Sequence, residues 1–420
     1  MKILIIRTFP SILDPNGYNI QEIGFAKALV RAGVNCDVVL YNGNAGNEER
    51  EIEVGVSDAG QVARAGMDIS ENTTGPTVGG DKKTAAGPAT GTEKNNITSA
   101  KVHVYMRHGF GILKNGFFPG LKKIAKQYDL LQVHEYDQIS SWRFYAWYKD
   151  KPVVIYHGPY YDDYNKGYNL KCKVFDTLFL HIKHNRDTLC FTKSKAAAGF
   201  LKTKGFKNAV PIGVGLDTEN FGSITADASE TTDSDTFNLL YVGKIEPRRN
   251  SYLLLDILSR AVEIARENKI HLTIVGDGEP AYVDDWMKKA HPLIDAGHLT
   301  YIKKKTQSEL KQMYGQMNLM VFPSNYEIFG MVLLEAMYFN LPVISSDNGG
   351  SDTLISDGED GVIVKNFDAD IWAKRIVELA ENKEEYQTIK DNLTAKDHSI
   401  YTWDGIAKRY LSELKKHDII

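Results

Sequence analysis

Two glutamates, one just before an apolar run and one within it, are candidates for contacts with a ligand. Glu327 and Glu335 have seven residues between them, and an apolar run with helical spacing begins at Ile328. We expect Gly330 in the first turn of that helix, where backbone N–H groups and the helix dipole attract phosphate. Two carboxylates repel a bare pyrophosphate, so they suit the hydroxyl-rich ends of a ligand whose phosphates lie between them. A nucleotide diphosphate sugar has that layout.

Two cations in residues 241–250 could bind the same phosphates. This segment reads as strand, turn and helix, and it carries Gly243, Lys244 and Arg249. A glycine in the turn lets the backbone approach a ligand closely, and two cations five residues apart could hold both phosphates of a leaving nucleotide. The alternative is a pair of solvated surface cations.

Strand-like and helix-like runs alternate along the chain and predict the elements that position these residues. In the first half, strands are expected at 3–6, 36–41, 102–106, 130–134 and 153–157, with helices at 19–32 and 121–128. A second series has strands at 237–242, 271–275, 299–302, 319–322 and 342–345. Such alternation predicts two doubly wound, Rossmann-like α/β domains, whose ligands bind beyond the carboxyl ends of the strands in a cleft between the domains.

The predicted domain bounds follow from these two series. We expect an N-terminal domain at 1–210, a linker at 211–236, a C-terminal domain at 237–400 and a C-terminal helix at 401–420 that packs back on the N-terminal domain. Residues 42–101 contain no Phe, Tyr or Trp, although the chain has 44 of them, and too little apolar burial is available to offset the entropy of ordering. We therefore predict a long mobile insertion at about 44–100, with a small added module as the alternative.

Composition excludes several classes of protein. The formal net charge of −4 argues against a generally basic nucleic-acid binder, and three widely spaced cysteines argue against a disulfide framework or a zinc site. No apolar run reaches the roughly 18 residues of a membrane span, and the first seven residues resemble a buried strand rather than a signal peptide. We expect a cytoplasmic protein. Residues 171–207 nevertheless have nine Lys or Arg and two Asp, which suits contact with an anionic membrane surface.

The glutamate segment, together with Leu341-Pro-Val-Ile-Ser-Ser and Asn348-Gly-Gly, closely resembles the retaining glycosyltransferases of family 4, a group 1 family with the GT-B fold. Three features depart from the family pattern. Asn340 stands where the family has Gly, which a left-handed helix end tolerates. Lys244 and Arg249 appear in exchanged order, and the loop after the first strand has one glycine where many relatives have two.

The resemblance implies roles for individual residues. It implies that Glu327 holds sugar hydroxyls and supports positive charge at the anomeric carbon. It also implies that Glu335 binds the ribose hydroxyls. Lys244 and Arg249 would stabilise the departing diphosphate, and His157 would lie near the donor sugar. Further donor contacts implied in this way are Gly17, Asn19, His134, Gly243, Gly276, Gly278, Ile328, Phe329, Gly330 and Met331.

The function that the resemblance implies is transfer of a sugar, with retained anomeric configuration, from a nucleotide diphosphate sugar to a glycan or lipid-linked acceptor. Family frequency favours UDP, and the pathway implied is synthesis of a cell-surface polysaccharide or glycoconjugate. No metal and no cofactor other than the donor substrate are expected. Two alternatives stay open: a nucleotide-sugar epimerase of the same architecture, and a non-catalytic partner that only binds nucleotide.

Overall fold

A computed structural model of the chain describes residues 1–9, 21–43, 46–56, 98–112, 115–148, 150–180, 187–218, 236–266 and 269–420. The chain divides into two compact units. Unit 1 comprises Met1–Gln132 and Trp147–Pro152, and unit 2 comprises Val133–Ala146 and Val153–Ile420. The predicted domain bounds follow the two series of strands rather than these units, and they stay a prediction.

Unit 1 is built on a mainly parallel sheet. Its strands are β1 (Lys2–Arg7), β2 (Asn35–Tyr41), β3 (Glu48–Val56) and β4 (Thr98–Arg107), a separate hairpin of β5 (Phe110–Ile112) and β6 (Asn115–Phe117), and β7 (Leu130–His134), which ends in unit 2. The order is β7-β1-β2-β4-β3. Helices α1 (Gln21–Arg31) and α2 (Leu121–Ala125) complete the unit. Because β1 is enclosed on both faces, Ile3–Ile6 form a continuous buried apolar run.

Part of the predicted insertion is regular structure, which corrects the expectation of a wholly mobile segment. Glu48–Val56 forms β3, and it pairs antiparallel with β4 from Glu48 opposite Met106 to Val56 opposite Thr98. Charged residues dominate β3 because it is an edge strand, and charge on an edge opposes pairing with other chains. Its ion pairs include Lys101 with Glu51 at 2.6 Å. Residues 57–97 of the predicted insertion lie outside the described residues.

Unit 2 contains the remaining strands, in two groups. The first is β8 (Val153–His157), β9 (Cys190–Thr192) and β10 (Ala209–Pro211), in the order β10-β9-β8-β7. The second is β11 (Thr236–Val242), β12 (Lys269–Val275), β13 (Leu299–Ile302), β14 (Leu319–Phe322), β15 (Val343–Ser346) and β16 (Val362–Val364). This six-stranded sheet is parallel and has the order β13-β12-β11-β14-β15-β16. Most of the predicted linker, residues 219–235, lies outside the described residues.

The helices of unit 2 follow the strands in alternation. They are α3 (Ile139–Trp147, whose last residue belongs to unit 1), α4 (Lys166–Phe175), α5 (Lys195–Thr203), α6 (Ser251–Ile264), α7 (Pro280–Asp295), α8 (Gln307–Gln316), α9 (Met331–Tyr338), α10 (Ser351–Leu354), α11 (Ala369–Glu381), α12 (Lys383–Ala395) and α13 (Trp403–Lys416). Within the described parts of the chain, none of the helices combines the length and apolar composition that crossing a membrane requires.

The strand order of the six-stranded sheet defines a switch point. The chain runs outward from β11 to β13 on one side and from β14 to β16 on the other, so the direction reverses between β11 and β14. Ligands of doubly wound sheets bind beyond the strand ends at such a switch point. The loops that follow β11 and β14 carry Arg249 and Glu327 respectively.

Helix α13 closes unit 2 by packing on β9. The rings of Tyr410 and Phe191 have centroids 4.3 Å apart. The chain reaches α13 beside Leu216, whose N–H donates to the Tyr401 carbonyl at 2.7 Å. Gly215 permits this approach, since a Cβ there would lie 2.3 Å from a Trp403 ring carbon.

The structure of β3 allows a two-part test of the insertion. Replacing residues 58–96 with a short Gly-Ser linker should leave the melting temperature within about 2 °C, because loop-closure cost changes slowly with length. Replacing residues 47–99 should lower it by at least about 5 °C, because that deletion removes β3 and exposes the edge of β4. Differential scanning calorimetry of both variants measures the difference. Equal melting temperatures in the two variants would contradict a structural role for β3.

Candidate functional site

The carboxylate of Glu327 lies at the switch point, in the loop after β14. Only 8 % of Glu327 is exposed. Its Oε1 forms ion pairs with the guanidinium groups of Arg249 and of Arg248, the latter at 3.2 Å. Glu246 belongs to the same network, because its Oε1 accepts a hydrogen bond from Arg248 at 2.8 Å. Two guanidinium groups therefore compensate the desolvation of a nearly buried carboxylate.

The two arginines are fixed to the β14 loop by further contacts. Arg248 donates from Nη1 to the Tyr326 carbonyl at 2.8 Å. The Arg249 guanidinium lies 5.1 Å from the centroid of the Phe322 ring, within range of a cation–π interaction. Asn250 has φ +53 and donates from Nδ2 to the Pro323 carbonyl at 2.8 Å. The turn after β11 is thus anchored before a ligand arrives.

Tyr160, in the loop after β8, holds the backbone of the glutamate loop. Its hydroxyl donates to the Glu327 carbonyl at 2.8 Å and accepts from the Gly349 N–H at 2.9 Å. The rings of Tyr160 and Tyr326 have centroids 4.7 Å apart. One phenol therefore connects three loops that follow β8, β14 and β15.

The Gly349-Gly350 pair permits the loop after β15 to approach the glutamate loop. A Cβ at Gly349 would lie 2.8 Å from the Glu327 carbonyl oxygen, and one at Gly350 would lie 2.6 Å from that of Phe329. Both distances are shorter than real Cβ contacts, so a side chain at either position would displace the loop. Asn348 fixes the turn by accepting at Oδ1 from the Gly350 N–H at 3.0 Å.

Helix α9 begins one turn later than its apolar run predicts. Gly330 is the residue before the helix, not part of its first turn, and it has the left-handed φ of +78. Its carbonyl accepts from the N–H groups of Leu333 and Leu334 at 3.0 and 3.1 Å. The N-terminus of α9 therefore follows directly after the loop of Glu327, and its first amide groups belong to Met331 and its successors. At the other end Asn340 takes φ +56, as an Asn in place of Gly permits.

Glu335 lies on α9 and is nearly buried, at 5 % exposure. Its Oε2 accepts a hydrogen bond from the Tyr314 hydroxyl at 2.9 Å. Tyr314 is on α8 and its ring stacks on Phe339. The Tyr314 hydroxyl thus helps to orient the Glu335 carboxylate.

Close backbone packing explains the glycines in the turns after β11 and β12. A Cβ at Gly276 would lie 1.8 Å from the Gly243 carbonyl oxygen, and one at Gly278 would lie 2.1 Å from that of Ile245. The two turns are joined by a hydrogen bond from the Ile245 N–H to the Asp277 carbonyl at 3.0 Å. Close backbone approach alone therefore requires glycine at 276 and 278, and their contact with a nucleotide base stays a prediction.

His157, at the end of β8, is fully buried beside Glu135. Its Nδ1 lies 2.6 Å from Glu135 Oε2, and its ring stacks on Phe200 with centroids 5.6 Å apart. Glu135 has φ +63, which is uncommon for a residue with a side chain and costs on the order of 1 kcal/mol. Its Oε2 also accepts from the Gly158 N–H at 3.2 Å. His157 thus supports the β8 loop from within, and its predicted contact with donor sugar stays a prediction.

The Glu135 carboxyl is ionised in this environment. Burial acts to raise its pKa, but the charge of His157 and the hydrogen bond to it outweigh burial and lower the pKa to about 2. Lys193 and His134 lower it further. His134 is itself buried, with its ring 5.2 Å from that of Tyr156, so its role as a donor contact stays a prediction.

Among the residues that the structure describes, one group of potential metal ligands includes Glu135 and His157. Ligand atoms of Glu135, Asp137 and His157 lie within 4.8 Å of one another. Asp137 Oδ2 is 2.6 Å from the ammonium of Lys171. The Lys171 ammonium therefore already compensates the charge of Asp137.

The structure brings together some predicted site residues and not others. Arg249 and Glu327 are in contact, whereas the Lys244 side chain is exposed. Gly17 and Asn19 lie outside the described residues. The sequence analysis missed Arg248 and Tyr160. Two adjacent arginines in the β11 turn were a usable signal for Arg248, but nothing in the sequence near Tyr160 indicates that its hydroxyl reaches residue 327.

Comparison with known proteins finds a family match in the C-terminal part of the chain. Residues 224–396, less than half of the chain, match the family model for glycosyl transferases group 1. Curated relatives include D-inositol 3-phosphate glycosyltransferases of Corynebacterium diphtheriae, 24 % identical over 41 % of this chain and 40 % of that protein. That of Mycobacteroides abscessus is 29 % identical over 41 % of this chain and 38 % of its own length. The chain thus spans about two fifths of these curated relatives.

Solved structures resemble the chain over nearly its full length. Anabaena HepE in complex with UDP has a TM-score of 0.65 at 16 % identity, covering 99 % of this chain and 100 % of its own. Sucrose-phosphate synthase of Thermosynechococcus elongatus has a TM-score of 0.65 at 17 % identity, covering 99 % and 98 %. The predicted α/β fold of the GT-B type is confirmed, as is the resemblance to group 1 glycosyltransferases. The narrower assignment to family 4 stays a prediction.

The hydroxyl of Tyr160 offers a test of how the site is held. We expect Tyr160→Phe to lower the free energy of unfolding by about 1–2 kcal/mol, because the Glu327 carbonyl and the Gly349 N–H lose a shared partner. Urea titration of both proteins measures this. Tyr164→Phe is the matched control: Tyr164 is 57 % exposed, and we expect a change below about 0.5 kcal/mol. Superimposable curves for wild type and Tyr160→Phe would contradict the bridging role.

Proposed function

We propose that the protein is a retaining glycosyltransferase that transfers a sugar from a nucleotide diphosphate sugar to a glycan or lipid-linked acceptor. One observation carries the proposal. The Glu327 carboxylate, paired with Arg248 and Arg249, lies immediately before the N-terminus of α9. Cations, a helix N-terminus and a carboxylate together match the diphosphate and the adjoining sugar of such a donor.

The comparisons support UDP as the nucleotide. HepE has been solved with UDP, with UDP and glucose, and with UDP-glucose. Residues 224–396, the part that matches the group 1 model, include both glutamates and both arginines. We propose a UDP-sugar donor for this chain on that basis, with Glu335 receiving the ribose hydroxyls. The Tyr314 hydroxyl, at 2.9 Å, would orient that carboxylate.

The proposed reaction breaks the bond between the anomeric carbon and a phosphate oxygen. Negative charge then grows on the diphosphate, and Arg249, Lys244 and the amide groups at the start of α9 would stabilise it. Glu327 would hold sugar hydroxyls and support positive charge at the anomeric carbon. When the anomeric configuration is retained, the acceptor oxygen bonds to the anomeric carbon on the face from which the diphosphate departs. A diphosphate oxygen is therefore the nearest base for the acceptor proton.

We propose that this transfer needs no metal. The Lys171 ammonium supports this, since it lies 2.6 Å from Asp137 and compensates the charge of one of the three clustered metal-type ligands among the described residues. Arginine and lysine would supply the positive charge that the departing diphosphate needs. Undiminished turnover in EDTA is the expected result.

The acceptor is proposed to be a glycan or a lipid-linked sugar in the synthesis of a cell-surface polysaccharide or glycoconjugate. We include a peripheral membrane contact through residues 171–207, where basic residues exceed acidic ones. An epimerase or a non-catalytic nucleotide-binding protein would give different outcomes in one assay. Incubation with UDP-sugars and NMR of the products distinguishes transfer with retention, epimerised donor and unchanged donor.

We expect Glu327→Gln to lower the transfer rate by at least about a hundredfold, because it removes charge at the reacting centre. The measurement is the initial rate of UDP release at saturating donor. Glu384→Gln, an exposed glutamate on α12, is the matched control and should keep the wild-type rate. A melting temperature near that of wild type would exclude misfolding as the cause. Near-normal turnover of Glu327→Gln would remove this residue from the mechanism.

We expect Glu335→Gln to raise the KM for donor about tenfold with a smaller change in kcat, because a ribose contact is present in both ground and transition states. Steady-state kinetics with varied donor concentration measures both constants. If kcat fell while KM stayed unchanged, the roles of Glu335 and Glu327 would have to be exchanged.

A further inference from the structure

The outer face of α4 and of the π-helical turn that follows it, Asp176–Leu180, carries a row of exposed apolar side chains. Leu170, Val174 and Leu178 lie four residues apart and are 65 %, 50 % and 55 % exposed. Tyr164, just before α4, is 57 % exposed. Five of the twelve exposed large apolar residues in the described part of the chain lie between 161 and 178. The exposure is therefore concentrated on α4 and the residues on either side of it.

The opposite face of α4 explains why this row points outward. Cys172 and Phe175 are buried in unit 2, and the Phe175 ring lies 5.7 Å from that of Tyr136. Residues three or four positions apart share a face of a helix, so burying 172 and 175 leaves 170, 174 and 178 on the outside. The apolar row therefore forms a second face of α4, separate from the face that is buried in unit 2.

Basic residues flank the apolar row. Lys166 and Lys173 are exposed and lie on the same side of α4. The nearest acidic side chain on the helix, Asp176, is held by the Tyr136 hydroxyl at 3.0 Å and by the Lys204 ammonium. Asp163, three residues before Lys166, is also exposed, so the two lysines leave a small excess of positive charge beside the row.

The rest of the basic segment 171–207 offers less free charge than the sequence predicts. Lys171 pairs with Asp137 at 2.6 Å, and Lys207 pairs with Asp187 at 3.0 Å. Lys195 donates from Nζ to the Asp352 carbonyl at 2.8 Å. These lysines serve contacts within unit 2, which leaves the face of α4 as the better candidate for an external partner.

We propose that this α4 face, formed by Tyr164, Lys166, Leu170, Lys173, Val174 and Leu178, docks on the surface of an anionic lipid membrane. Apolar side chains in a row with lysines beside them are what an interfacial helix needs, since the first enter the acyl boundary and the second attract anionic headgroups. A protein partner fits less well, because a stable interface needs about 800 Å² per partner and this row is a single narrow helix face.

Docking through α4 extends the proposed function to a place in the cell. It rests on that function in one respect, because a lipid-linked acceptor would be presented at the membrane surface. The docking face and the donor site use different residues. Vesicle binding and donor binding can therefore fail independently, and each can be measured without the other.

The experiment compares variants of the full chain in sedimentation with vesicles of phosphatidylcholine alone or mixed with phosphatidylglycerol. We expect the triple variant Leu170→Gln, Val174→Gln, Leu178→Gln to bind mixed vesicles at least about tenfold more weakly. The matched control carries Phe367→Gln, Ile371→Gln and Ile400→Gln at other exposed apolar positions and should bind like wild type. UDP binding should stay unchanged in both variants.

A second pair of variants isolates the charge. Lys166→Gln with Lys173→Gln should weaken binding to mixed vesicles about twentyfold or more, roughly fivefold per lysine, and should not affect binding to phosphatidylcholine. Lys365→Gln with Lys415→Gln, two exposed lysines elsewhere, is the control. Raising the salt to about 0.5 M should weaken wild-type binding, because the Debye length falls to about 4 Å.

Several outcomes would overturn the docking face. Equal vesicle binding by wild type and the apolar triple variant is one. Another is a wild type that forms dimers in solution while the triple variant is monomeric, which would make the face a contact between copies. Vesicle binding as expected without any binding of UDP would instead contradict the proposed function and leave the docking face intact.

Discussion

The ion pairs between Glu327 and two arginines are the interaction on which the rest of the site depends. A nearly buried carboxylate is stable only if cations compensate its lost hydration. These cations come from the turn after β11, and the carboxylate comes from the loop after β14, so the pairing requires adjacent strands at the point where the sheet reverses direction. Tyr160 and Gly349 then fix the same loop by its backbone, which leaves the carboxylate little freedom to move.

In the proposed reaction, the donor diphosphate would compete with Glu327 for the guanidinium groups. A diphosphate carries more negative charge than one carboxylate, so a bound donor would draw a guanidinium away from Glu327. Arg248 is held by the Tyr326 carbonyl and by Glu246, both at 2.8 Å. Arg249 is held by the Phe322 ring and by the Ser324 hydroxyl at 3.4 Å, and we propose it as the partner for phosphate because the family resemblance implies that role. Its departure would leave Glu327 with the ion pair to Arg248 alone, so donor binding would make the carboxylate more available to sugar hydroxyls.

The sequence predicts the buried strands well because a strand enclosed on both faces needs a continuous apolar run, as in β1 and β14. It does not predict β3, whose charged residues suit an edge and whose partner β4 lies some forty residues further along the chain. Within the site, residue type and spacing single out Glu327 and Arg249. The burial of His157 and the reach of Tyr160 depend on packing between loops far apart in sequence, and no local pattern encodes either.

A crystal structure of the full chain with UDP would test the central claim most directly. The account predicts that the diphosphate lies at the N-terminus of α9, that the Arg249 guanidinium has moved from Glu327 to a phosphate oxygen, and that Arg248 keeps its hydrogen bond to the Tyr326 carbonyl. A diphosphate bound away from α9, with Arg249 still paired to Glu327, would contradict it.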